Sequence, residues 1–176
     1  KVIIPAFSVG RTQEMIYILH NLWDQGKVPQ VPVYIDSPLS TDATEVFTKH
    51  PECYDSDMFE KFLSKSHSPF HFKNLNYVRT VEQSKRLNDM HEPCIIISSS
   101  GMIENGRIVH HVKKALPDHR NTIMTIGYMA EGTIGRRLID GENPIWIHGK
   151  PRNRAAEVVV LNSFSAHADK DELFAF

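Results

Sequence analysis

Apolar residues along this chain fall into two alternating rhythms: short unbroken runs and longer stretches at helical spacing. Val2 to Phe7 is the first run, ended by the turn-prone Ser8-Val9-Gly10, as for a strand buried on both faces. Met15, Ile18, Leu19, Leu22 and Trp23 then recur at helical spacing, with Gly26 as the stop. Val31 to Ile35 is a second run, and Asp36-Ser37-Pro38 breaks it ahead of a helix around Thr41 to Lys49. Between Pro51 and Asn76 the rhythm loosens; Met58, Phe59, Phe62 and Leu63 suggest a short helix, and Phe70 to Lys73 a brief strand. Thr80 followed by Gln83 has the form of a capping box and predicts a helix over Val81 to Asn88. Cys94 to Ile97 is another buried strand that runs into Ser98 to Met102, after which Ile108, Val109, Val112 and Leu116 share one helical face. Thr122 to Ile126 reads as a strand, Gly127 to Gly132 as a loop, and Thr133 to Ile139 as a helix stopped by Gly141. Ile145 to Ile147 and Val158 to Leu161 flank a connection rich in Gly, Lys and Pro with no helical pattern, which predicts a β-hairpin or edge ribbon. Ser163 to Asp169 leads into a last helix, with Asp169 as its N-cap.

Alternating buried strands and amphipathic helices predict an α/β fold, a mostly parallel doubly wound sheet with helices on both faces and a C-terminal β-hairpin. The 176 residues leave room for one such domain. Apolar residues at 41% and charged residues at 23% argue against a disordered or fibrous chain. No apolar run approaches the roughly 20 residues that span a bilayer, and no basic-then-apolar leader precedes the first strand, so no membrane role is expected. With 20 Lys and Arg against 21 Asp and Glu, overall charge gives no pull toward phosphate polymers, and any nucleic-acid contact must be local. Cys53 and Cys94 form no CxxC pair, which suits a reducing compartment, and a cytoplasmic location is expected. Lys1 opens directly on Val2-Ile3-Ile4 and Phe176 closes inside an apparent helix, a pattern expected of a piece of a longer protein.

In such a sheet, ligands bind beyond the carboxyl ends of the strands, which singles out Ser8 to Arg11, Asp36 to Ser40, Ser98 to Met102 and Gly127 to Thr133. Ser98 to Gly101 sets three hydroxyls and a glycine before a helix, where unpaired N–H groups favour an anion such as phosphate; a helix start that merely needs small capping residues looks the same. Arg11 could fork onto a phosphate or pair with a nearby carboxylate. The ten histidines show no HxH or HExxH spacing. His67 and His71 have Pro69 between them, and the side chains of His110 and His111 diverge, so these read as surface residues. No GxSxG elbow, P-loop or GxGxxG is present, against a serine hydrolase, a nucleoside triphosphatase and a dinucleotide enzyme. His167 sits in a small-residue loop before a capped helix, where an imidazole either projects into a cleft or is simply solvated.

In order and wording, five blocks resemble the β-CASP family, the RNA- and DNA-processing branch of the metallo-β-lactamase fold. They are Ile4 to Glu14, Asp36-Ser37-Pro38-Leu39, Ser99-Ser100-Gly101-Met102, Gly127-Tyr128 with Glu131-Gly132-Thr133, and Ser163 to Asp169. The wording is nearer the endonuclease subunit of the polyadenylation machinery and its bacterial and archaeal relatives than ribonuclease J. The resemblance implies a β-CASP domain over residues 1–162, with 163–176 beginning the return into a metallo-β-lactamase core of the same chain. It implies a parent enzyme in which two zinc ions between core and β-CASP domain activate water against a phosphodiester of single-stranded RNA, or DNA. His167 would match the family's histidine beside the metals, which helps proton transfer to the leaving oxygen or stabilises the developing charge, and is not expected to be a tight metal ligand. Ser8, Arg11, Ser37, Ser99, Ser100, Gly101 and Met102 would line the cleft and hold backbone phosphates. The HxHxDH zinc motif, the first acidic motif and the third-motif histidine are absent from these 176 residues, so the chain alone is expected to bind no catalytic zinc and to cleave nothing. A non-catalytic nucleic-acid-binding or scaffold relative that has lost its zinc site is the alternative. An unrelated small-molecule enzyme on the same kind of sheet remains a third, since fold alone does not fix function.

Overall fold

The computed structural model describes residues 1–56, 58, 60, 68–164 and 170–175. Among the described residues eight strands occur in chain order: β1 (Val2–Pro5), β2 (Val33–Ile35), β3 (Leu75–Tyr77), β4 (Ile95–Ser98), β5 (Thr122–Thr125), β6 (Ile145–Ile147), β7 (Lys150–Arg152) and β8 (Glu157–Val160). The helices are α1 (Arg11–Asp24), α2 (Pro38–Lys49), α3 (Val81–Asp89), α4 (Arg107–Ala115), α5 (Ile134–Ile139) and α6 (Lys170–Phe174). Six strands form one sheet in the order β3-β2-β4-β1-β5-β8, with every neighbouring pair parallel, and β6 and β7 make a separate antiparallel ribbon. The expected doubly wound α/β architecture with a C-terminal hairpin is therefore present.

Consecutive branched residues make this sheet possible, because successive side chains leave a strand on opposite faces and both faces are covered. In β1 and β4, Ile3 pairs with Ile96 and Ile4 with Ile97. Ile3, Ile96 and Ile123 pack with Leu87, Ile108, Val112 and Leu138 of α3, α4 and α5, and with Ile145 and Ile147 of the ribbon. Ile4, Ile97, Val33 and Ile35 pack on the other face with Met15, Ile16, Leu19 and Trp23 of α1.

Helix ends follow local chemistry. Gly26, at φ +65°, ends α1, its N–H donating to the Trp23 carbonyl (2.9 Å) while that of Lys27 donates to Leu22 (2.9 Å). At α2, Ser37 accepts the Ser40 N–H and Pro38 occupies the first turn, so the helix starts three residues before the expected Thr41. The capping box at α3 is complete, with Thr80 accepting from the Gln83 N–H and Gln83 reaching back to the Thr80 N–H. Thr80→Ala is expected to cost about 1 kcal/mol of stability, read as a lowered denaturation midpoint at unchanged slope.

Two expectations are corrected. Phe70 to Lys73 forms no strand; the third strand lies at Leu75–Tyr77. The rings of Phe70 and Phe72 serve the core from a turn, Phe70 edge-on to Phe47 and Tyr54 and Phe72 edge-on to Trp23. The ribbon pairs Ile145–Ile147 with Lys150–Arg152, whereas the Val158 segment leaves it to become β8 beside β5. Of the short helix around Met58, Met58 is helical, and Phe59, Phe62 and Leu63 lie outside the described residues. Among the described residues no helix is long and apolar enough to cross a membrane.

Candidate functional site

Neighbouring strands β1 and β4 send their connections to opposite faces, β1 to α1 and β4 to α4, so a crevice opens at their carboxyl ends. β2, on the far side of β4, ends at the same rim and turns into α2, on the α1 side. Gln13 of α1 fastens this side, donating through Nε2 to the Ser8 carbonyl (3.2 Å) and to Thr44 Oγ1 of α2 (2.8 Å).

Three hydroxyls from three strand ends meet in the crevice. Ser99 Oγ donates to Ser37 Oγ at 3.0 Å, the Ser40 N–H donates to the same oxygen at 3.2 Å, and Ser8 Oγ lies 3.3 Å from it. Two donors fill both lone pairs of Ser37, so its own proton points at Ser8. The chain of donors therefore runs Ser99 to Ser37 to Ser8, and the half-buried Ser8 is left with a proton to offer outward.

Beneath this cluster lies a carboxylate that sequence reasoning passed over. Asp36 is 0% exposed at the end of β2. It accepts from Arg107 Nη1 (2.7 Å), Ser84 Oγ (2.5 Å) and His111 Nε2 (2.6 Å), and its carbonyl accepts from Ser98 Oγ (2.7 Å). Burial alone would push this carboxyl up, but hydrogen bonds from His111, Ser84 and Arg107 outweigh it and hold the group below its ordinary value. His111 also places Nδ1 3.0 Å from Asn88 Oδ1, and Asn88 is oriented by its own bond to the Ser84 carbonyl. The ring can donate to both oxygens only when both nitrogens carry protons. The expectation of surface histidines thus fails at His111, and at His20, which is buried against the Pro69 carbonyl (3.0 Å). Arg107 and His111 lie one helical turn apart, so both reach the same strand end. That i, i+4 spacing behind a strand-terminal aspartate was the available signal.

The remaining predicted residues divide. Arg11, Gly101 and Met102 line a groove of about 360 Å³ next to the serines, together with Phe7, Tyr128 and Phe164. Arg11 ion-pairs with Glu14 (2.5 Å) and lies 5.8 Å from the centroid of the Phe164 ring. Ser100 turns into its own loop, accepting the N–H groups of Glu104 and Asn105. That loop does not lead straight into α4: it curls back, and the Ser99 carbonyl accepts the Ile108 N–H in the first turn. His167 lies outside the described residues, and among those described no group of three or more His, Cys, Asp or Glu side chains could hold a metal ion.

Comparison with known proteins finds relatives along nearly the whole of this chain. The chain is 34% identical over 179 residues to transcription termination factor FttA of Methanosarcina mazei, with 99% of this chain and 28% of the relative covered. It is 34% identical over 181 residues to FttA of Methanocaldococcus jannaschii, with 100% of this chain and 28% of the relative covered. Against ribonuclease TTHA0252 of Thermus thermophilus it is 34% identical over 173 residues, covering 98% of this chain and 39% of the relative. The chain thus spans between 28% and 39% of the length of these relatives. The Beta-Casp domain family model matches residues 12–138, from the first turn of α1 into α5, and so takes in the loops that carry Ser37, Ser99 and Gly101. Matched across most of its length and through the center of its crevice, this chain belongs to the Beta-Casp domain family.

Proposed function

We propose that this chain is the substrate-clamping part of a metal-dependent ribonuclease, gripping the phosphates of single-stranded RNA along the crevice where Ser8, Ser37 and Ser99 meet. The observation that carries this reading is that convergence of three hydroxyls from three strand ends. Local neutral donors position a phosphate backbone in a chain whose overall charge supplies no attraction. The relative named a ribonuclease supports RNA hydrolysis in the parent protein. A non-cleaving nucleic-acid-binding role is the second reading, favoured by the relatives named transcription termination factors, whose names mention no cleavage.

Residues 1–162 form the β-CASP domain in this proposal, and 163–176 begin the return to a metallo-β-lactamase core that carries two zinc ions. The described residues do not fit a zinc site: His20 is bonded to a carbonyl, and His111 to Asp36 and Asn88. No step is assigned to metal within them. The chain alone binds no catalytic zinc and cleaves nothing, and His167 assists the leaving oxygen only in the parent enzyme. The test is anisotropy of a labelled single-stranded RNA with the full-length protein. Ser8→Ala should weaken binding about tenfold, as expected for loss of a hydrogen bond to a charged group, and Ser99→Ala, which removes only the neutral bond to Ser37, should weaken it less. Unchanged affinity in both variants would sink the phosphate-gripping reading.

A further inference from the structure

Two aromatic side chains project from the ends of β1 and β5, on one side of the serine cluster. Phe7 follows β1 and is 50% exposed, and Tyr128 follows β5 and is 60% exposed. Both line the 360 Å³ groove whose floor is the apolar Pro5, Ala6 and Ile126. Apolar surface gathered at one concave place marks an interaction site in a way that scattered exposed residues do not. The placement of Phe7 is built in. A Cβ on Gly101 would sit 3.1 and 3.2 Å from two ring carbons of Phe7 and 3.2 Å from its backbone nitrogen, so glycine is what lets the ring lie against the loop after β4. Ser8 comes next in the chain, so a ring and an outward hydroxyl adjoin on one turn, their Cα atoms about 3.8 Å apart.

We propose that this groove takes one unpaired nucleobase, stacked against Phe7 and Tyr128, from a nucleotide whose phosphate rests on the Ser8–Ser37–Ser99 cluster. The inference rests on reading that cluster as a phosphate grip and extends it from backbone to base. Phe7 and Gly101 of the groove sit one and two residues along the chain from Ser8 and Ser99, which is why a nucleotide, with a polar and an apolar end side by side, fits it better than a purely apolar partner. Aromatic rings accept the face of any base, so the subsite selects for a base free to unstack and not for sequence. Base-paired RNA cannot offer one, and the groove thereby discriminates against duplex.

The experiment walks a single abasic nucleotide along a short single-stranded RNA and measures affinity for the full-length protein. Wild type should lose about tenfold at one position and little elsewhere. Phe7→Leu, which keeps apolar cover, and Tyr128→Ala should weaken the intact RNA and lose sensitivity to the abasic nucleotide at that position. Equal loss on intact and abasic RNA would overturn the subsite while leaving the serine grip standing. So would a lowered melting temperature with abasic sensitivity retained, which would assign the rings to contact with the rest of the protein. Absence of any single-stranded RNA binding in wild type would overturn both readings together.

Discussion

Asp36→Ala is expected to lower the free energy of unfolding by about 3–5 kcal/mol, the cost of removing one partner from a buried ionic network. Arg107 and His111 would keep their positions against the end of β2 with no anion between them, and Ser84 would lose its acceptor. Asp36→Asn keeps the shape but presents an amide N–H₂ to a set of donors, so it too should destabilise. Urea denaturation at neutral pH measures both. The pH dependence has a definite sign. A carboxyl held below its unfolded value contributes stability that is present above that value, about pH 4, and is lost as pH falls through the lower folded value. Wild type should therefore lose stability below about pH 4 more steeply than Asp36→Asn. Parallel acid profiles for the two proteins would show that Asp36 is not the group responsible.

Gly106→Ala is expected to cost about 3 kcal/mol, a fall of roughly 6–12 °C in melting temperature for a domain of this size. Gly106 has φ +79° and ψ −168°, a region that is essentially glycine-only, and an added Cβ would lie 2.7 Å from the Ser99 carbonyl oxygen. That same carbonyl accepts the Ile108 N–H, so relieving the clash would uncap α4 and shift Ser99 away from Ser37. RNA affinity should therefore fall with stability. Gly26→Ala provides the contrast. It shares a positive φ of +65° but meets nothing within 4 Å, so its cost should stay near 1 kcal/mol with affinity unchanged. Equal costs at the two positions would show that backbone strain alone, without the Ser99 contact, sets the effect.

The inner strands were legible because their residues are buried on both faces. Ile3-Ile4 and Ile96-Ile97 carry no polar interruption, and a run of branched residues leaves little alternative. The edges were not. β3 is Leu75-Asn76-Tyr77 with Asn76 exposed, and β7 is Lys150-Pro151-Arg152, which contains no large apolar side chain apart from a proline ring. Such strands are fixed by their neighbours and not by their own composition. The site divided in the same way. The serines were found because each sits in a loop directly after a strand, a position that chain order reveals. The Asp36 network was not, because its members come from β2, α3 and α4 and meet only once the sheet has placed those elements side by side. Phe7 and Tyr128 were inside recognised blocks, yet only exposure distinguishes a ring that faces solvent from one that faces the core.

The strand order also bears on how the chain comes off the ribosome. Of the six strands of its sheet β1 is made first, yet it lies between β4 and β5, with Val2 in register with Ile95 on one side and Thr122 on the other. At about 5–20 residues per second, roughly 6–24 s of synthesis separate Val2 from Thr122. For that interval an apolar segment of high β-propensity has only one flank, or none, to occupy. Non-local pairing of this kind slows folding and leaves aggregation-prone intermediates, and β1 is the strand of this sheet that waits longest for both of its neighbours.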